Sequence, residues 1–148
     1  MELYLFRHGE AMSPLENPKR PLTQRGRRDV EQMVDVLKKE HVRFVKLYHS
    51  PKLRAVETAA ILGSHFGVPP EEIDFLTPED DPEQAKRLFQ EDQNVMVVGH
   101  LPHLPSLASL LMTGQIGKVQ LDFKTAGAVC LEKGRTWSLR WIRRPEVD

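Results

Sequence analysis

Two histidines and two arginines in this chain occupy places where a polypeptide commonly passes from a strand into a loop or helix. In Leu5-Phe6-Arg7-His8-Gly9, an apolar run ends on a permanent cation and an imidazole, and Gly9 is expected to let the backbone turn so that the His8 ring faces outward. In Ser50-Pro51-Lys52-Leu53-Arg54-Ala55, Arg54 falls in the first turn of an expected helix. There free amides and the helix dipole favour an anion, and a guanidinium fork matches two phosphate oxygens. In Val97-Val98-Gly99-His100-Leu101-Pro102, a second histidine follows an apolar run and a glycine. Each motif alone also has a plain reading: a strand-end histidine that caps backbone, a solvated surface arginine, a histidine capping the next helix. Together they form a set suited to phosphoryl transfer, which needs positioning and neutralisation of the equatorial oxygens. Two guanidinium groups and an imidazolium would supply this with no metal and no cofactor. A neutral imidazole is a competent nucleophile, and Arg7 and Arg54 near His8 are expected to disfavour its protonation.

The elements that must position these groups are legible as alternating strands and helices. Leu3 to Phe6 suits a strand buried on both faces. Thr23 is expected to cap a helix with Val30, Met33, Val34 and Leu37 on its inner stripe, leaving Arg25, Arg27 and Arg28 at a solvated start. Val45 to His49 reads as a second strand. Ser50-Pro51 then supplies a cap and first-turn proline for a helix with Leu53, Val56, Ala60 and Ile61 inward and Gly67 as its stop. Ile73 to Leu76 reads as a short strand, and Asp81-Pro82 opens a helix bearing Ala85, Leu88 and Phe89. Val95 to Val98 is a further strand, followed by a helix with Leu104, Leu107, Ala108 and Leu111. From Val119 the period changes to two. Val119, Leu121 and Phe123 alternate, and Ala128 to Leu131 and Trp137 to Trp141 follow as strands, with the two tryptophans spaced to share one sheet face. The pattern predicts one α/β domain over residues 1–148. It is a three-layer α/β/α sandwich with a mainly parallel central sheet and antiparallel edge strands, whose ligands bind beyond the carboxyl ends of the parallel strands.

Gross composition bounds the function. The 148 residues carry 21 basic and 21 acidic side chains, so no overall field draws the chain to nucleic acid or an anionic membrane, and no basic-aromatic array offers a strand-binding surface. No apolar run approaches a membrane span, and the N-terminus lacks a basic leader and a long apolar region, which predicts a cytoplasmic location. Cys130 is the lone cysteine, so its expected role is packing. His41, His49 and His65 lie off the motifs, and His103, three residues after His100, is expected to cap a helix rather than line the pocket.

The three motifs, in this order and spacing, resemble the histidine phosphatase superfamily, the phosphoglycerate mutase-like branch 1, over essentially the whole chain. The small size, Arg20-Pro21-Leu22-Thr23, Ser50 to Ala55 and Gly99-His100-Leu101-Pro102 are most similar to the SixA-type phosphohistidine phosphatases. The resemblance implies His8 as the phosphorylated nucleophile, Arg7, Arg54 and His100 as phosphate ligands, and Arg20 with Gly9 at the substrate-binding rim. Relatives acting on sugar phosphates have an asparagine six residues after the nucleophile, where this chain has Pro14, and a recognisable carboxylate acid. Here the acid has only candidates, Glu79, Asp80 and Asp81. A phosphoramidate P–N bond releases an easily protonated imidazole, so the gap favours phosphohistidine on a protein over a small phosphoester. The rival readings are a small-molecule phosphomonoesterase and a catalytically idle phospho-ligand module. Retention of both histidines and both arginines argues against the idle module.

Overall fold

The computed structural model describes residues 1–146. β1 (Glu2–Arg7) and β4 (Val95–Gly99) lie at the centre of one sheet, and nearly all their side chains are buried, as two-sided burial requires of strands this apolar. Four strands, β3 (Pro70–Glu72), β2 (Lys46–His49), β4 and β1, run parallel in that order; β5 (Ala128–Lys133) and β6 (Trp137–Arg143) complete the sheet antiparallel. Alternation along β1 sends Tyr4 and Phe6 into one core and Leu3 and Leu5 into the other. The first core is closed by α1 (Gln24–Lys39) and α2 (Leu53–Phe66), the second by α3 (His103–Thr113) and a 3₁₀ turn at Pro82–Phe89. The expected sandwich and its antiparallel edge are therefore present.

The Thr23 cap forms, its Oγ1 accepting from Gly26 N at 2.9 Å, and Val30, Met33, Val34 and Leu37 are the buried stripe of α1. Gly67 ends α2 in the left-handed region at φ 69°. Other expectations need correction. The inward face of α2 is Ala55, Thr58, Ala59, Leu62 and Gly63, whereas Leu53, Val56 and Ile61 are only half-buried and Ala60 is exposed. Bulk pointed to the wrong stripe, because α2 packs closely enough on its neighbours that small residues face in. Ile73 to Leu76 is not a strand: β3 precedes it, and Asp74–Leu76 is a 3₁₀ turn. The Ile73 and Leu76 spacing is the three-residue period of that turn. The segment after Asp81-Pro82 is likewise 3₁₀ rather than α, with Asp81 capping Glu83 N.

Val119, Leu121 and Phe123 do turn inward alternately, yet they form no strand. The segment is tied instead to α3, where Ser109 Oγ accepts from Lys118 N and Val119 N at 3.0 Å each. Trp137 and Trp141 lie on opposite faces rather than sharing one. The register slips between Cys130, which faces Trp141, and Leu131, which faces Leu139, and this bulge inverts the alternation. Trp137 packs near Phe89 and Trp141 near Tyr4. Cys130 is buried, as expected of a packing residue.

Candidate active site

Register brings the chemistry together. Arg7 pairs with Gly99 and His49 with Val98, so His8, His100 and Ser50, each one step past a pairing, emerge side by side at the carboxyl ends of β1, β4 and β2. The His8 and His100 ring centroids are 5.0 Å apart. Both rings are buried, His8 to 6% exposure, so the outward-facing ring expected from the sequence is instead sunk in the site.

The backbone around His8 is held from three sides. His8 N donates to Gly99 O at 3.1 Å, Arg7 N donates to Gly127 O at 2.9 Å, and Ala126 N reaches both Arg7 O and His8 O at 3.0 Å. Ala126 makes that double contact from a left-handed φ of 59°, a strained conformation for a residue with a Cβ. Gly9 N donates to Thr58 Oγ1 at 3.0 Å, and Thr58 in turn donates to Arg54 O at 2.8 Å, joining the His8 loop to α2. Gly9 is required for close approach rather than for an unusual turn: a Cβ there would sit 2.9 Å from Gly26 O of α1.

His8 Nδ1 lies 2.7 Å from Gly9 O. A carbonyl only accepts, so Nδ1 carries the proton and Nε2 keeps its lone pair. Burial, helped by Arg54, Arg7 and Arg20 and opposed by the Gly9 carbonyl, lowers the imidazole to about 4, so it is neutral across the physiological range. His100 Nε2 is 2.5 Å from Ser50 Oγ, which also accepts from Lys52 N at 3.3 Å. Burial, then His8, Arg54, His103 and Lys52, lowers His100 to about 3. The imidazolium expected at His100 is therefore a neutral imidazole at neutral pH.

Arg7 Nη1 donates to Phe123 O at 2.9 Å, and Arg20 Nε to Met12 O at 2.9 Å. Arg20 reaches the pocket from a left-handed φ of 51° and acts electrostatically on His8 and Arg54. Among the described residues, none of Arg7, Arg20 and Arg54 forms an ion pair, and the buried Nε atoms of Arg7 and Arg54 have no hydrogen-bond partner. Three unpaired guanidinium groups around a neutral histidine, in a chain of zero net charge, make a site for an oxyanion.

The acidic candidates stand differently. Asp80 Oδ2 accepts from Thr77 N at 2.8 Å and Thr77 Oγ1 at 2.6 Å, and these bonds hold its carboxyl below the ordinary range. Asp81 caps the following turn, and Glu79 is exposed. His103 does not cap: it is the first residue of α3, is buried, and neither ring nitrogen has a partner among the described residues. Ser50 does not cap α2 either; its hydroxyl is drawn to His100 and Lys52 is the cap residue. Three site residues were absent from the sequence reading: Ser50 as the His100 partner, Thr58 as the link between Gly9 and Arg54, and Ala126. A serine one step past a buried strand, level with Gly99-His100, was the available signal for the first; Ala126 left none.

A family model described as the histidine phosphatase superfamily (branch 1) matches residues 3–77. An uncharacterized protein of Picosynechococcus sp. is 32% identical over 143 residues, spanning 90% of this chain and 86% of that protein. The phosphohistidine phosphatase SixA of Escherichia coli is 28% identical over 153 residues, spanning 98% of this chain and 94% of its own. A solved structure of the protein histidine phosphatase SixA complexed with tungstate superposes with a TM-score of 0.87 at 26% identity, covering 98% of this chain and 97% of that one.

Proposed function

Since the chain belongs to the histidine phosphatase superfamily (branch 1), we propose that it is a phosphohistidine phosphatase that acts on a phosphorylated protein through a covalent intermediate on His8. The observation that carries this reading is the His8 tautomer. With Nδ1–H on Gly9 O, the Nε2 lone pair is free to attack phosphorus. Arg7, Arg54 and His100 hold the equatorial oxygens, with Arg20 at the rim. The substrate P–N bond breaks as the Nε2–P bond forms, and its electron pair returns to the leaving imidazole, which takes up a proton from water. Water then attacks phospho-His8, releases inorganic phosphate and restores the neutral ring. An arriving phosphoryl group raises the affinity of His100 for a proton by direct charge attraction, so the imidazolium forms when there is charge to stabilise. Asp80, held ionised by Thr77, is a poor proton donor at neutral pH. That fits a substrate whose leaving group needs little acid assistance.

The test is a parallel measurement of kcat/KM on a phosphohistidine protein, phosphoramidate, sugar phosphates and p-nitrophenyl phosphate after exhaustive chelation. The reading predicts the highest value on phosphohistidine protein. A sugar phosphate ahead of it identifies a phosphomonoesterase, and no turnover of any substrate returns the idle module.

A further inference from the structure

A groove of about 300 Å³ opens beside the phosphoryl site, between the start of α3 and the unpaired segment 117–123. Its walls adjoin the proposed phosphate ligands, and Asp122 acts electrostatically on Arg7. Leu101 follows His100, and Phe123, on the opposite wall, supplies the carbonyl that holds Arg7 Nη1. A substrate with its phosphoryl group on Arg7 and His100 therefore has the groove next to it. Pro102, Pro105, Val119 and Leu121 make the remaining walls largely apolar. Leu101, on the groove wall, is 39% exposed.

The charge around the groove decides what fits. No cation lines it, and its one ionised residue is Asp122, which lies 3.3 Å from Lys124. A second phosphate or a carboxylate would find no cation among the lining residues, and the one acid there is already paired with Lys124. A polyhydroxylated sugar would find only Ser106 and Gln120 as neutral polar side chains. An uncharged apolar group meets neither penalty.

We propose that this groove takes an apolar side chain adjacent to the phosphohistidine of a protein substrate, and so selects among phosphorylated proteins by the residues flanking the modified histidine. This rests on the phosphohistidine reading above. The alternation of Val119, Leu121 and Phe123, which builds no strand, then has a use: it lines one wall of the recognition groove with apolar side chains.

Two phosphohistidine peptides differing only in leucine or aspartate next to the modified residue test this, with phosphoramidate as a substrate that has no flank. Wild-type enzyme should prefer the leucine peptide by about tenfold or more in kcat/KM, the lower range for an apolar pocket. Gln120→Lys, at an exposed lining position where folding is not at risk, should narrow that preference at least threefold by gaining on the aspartate peptide. Leu121→Ala should lower the ratio of leucine-peptide to phosphoramidate turnover. Equal turnover of the two peptides, or a Gln120→Lys preference identical to wild type, overturns the groove proposal while leaving the phosphohistidine reading intact. Turnover of phosphoramidate with neither peptide accepted overturns both.

Discussion

At the scale of single residues, the site depends on keeping two buried imidazoles neutral among unpaired cations. His8 is depressed to about 4 by burial first and the arginines second, so protonation removes the proposed nucleophile only in strongly acidic solution. The acid limb of kcat/KM should accordingly fall near pH 4 rather than near the ordinary histidine value of about 6.5. An acid limb centred at 6 to 7 on a substrate that does not itself titrate there would contradict this. Ser50 is predicted to act through His100. Ser50→Ala should lower kcat/KM by about tenfold, ~1.4 kcal/mol of barrier, and displace the His100 titration followed by NMR in the presence of phosphate. An unchanged His100 titration would reduce Ser50 to a packing residue. Arg7→Ala and Arg54→Ala should each cost about a hundredfold or more, the scale for one preorganised charge-stabilising donor.

At the scale of elements, much of this was legible because strand ends and helix starts have local signals. Apolar runs closing on Arg7-His8-Gly9 and Gly99-His100, with a helix after each, placed the candidate catalytic groups at the carboxyl ends of parallel strands. The sequence was silent where a neighbour decides the outcome. Leu53, Val56 and Ile61 look like an inward stripe until the packing of α2 selects small residues. Val119 to Phe123 alternates like a strand but is tied to α3 through Ser109 instead, and the bulge that parts Trp137 from Trp141 has no local mark. The contact between the His8 loop and α1 belongs to the same class. Gly26 meets that loop so closely that an added Cβ would lie 2.1 Å from Glu10 O. Gly26→Ala should destabilise the fold by about 2–3 kcal/mol and lower activity more than its loss of folded protein explains, because the loop that moves carries His8. Denaturant unfolding alongside kcat/KM at saturating fold checks this. A Gly26→Ala protein with wild-type stability and turnover would contradict the packing account.

At the scale of the whole molecule, three buried histidines with lowered proton affinity couple folding to pH. His8, His100 and His103 all bind protons more readily in the unfolded chain, so their contribution to stability is complete above about 6.5 and is lost as pH falls below it. For His8 and His100 the loss continues towards 4 and 3, at on the order of 1.4 kcal/mol per pH unit for each group. The Tm should decline from pH 6.5 to 4.5, and His103→Leu should flatten the decline by removing one of the three groups. A Tm independent of pH in that window would show that the buried rings do not control it.

The central claim, a phosphoryl group carried on His8 Nε2, is tested most directly by rapid acid-free quench of turnover with a labelled phosphohistidine substrate, followed by digestion and mass spectrometry. The account predicts an acid-labile, base-stable phosphate on the peptide containing His8, present in wild type and absent in a folded His8→Ala protein that has lost turnover. Label on any other residue, or substantial turnover by His8→Ala, would contradict it.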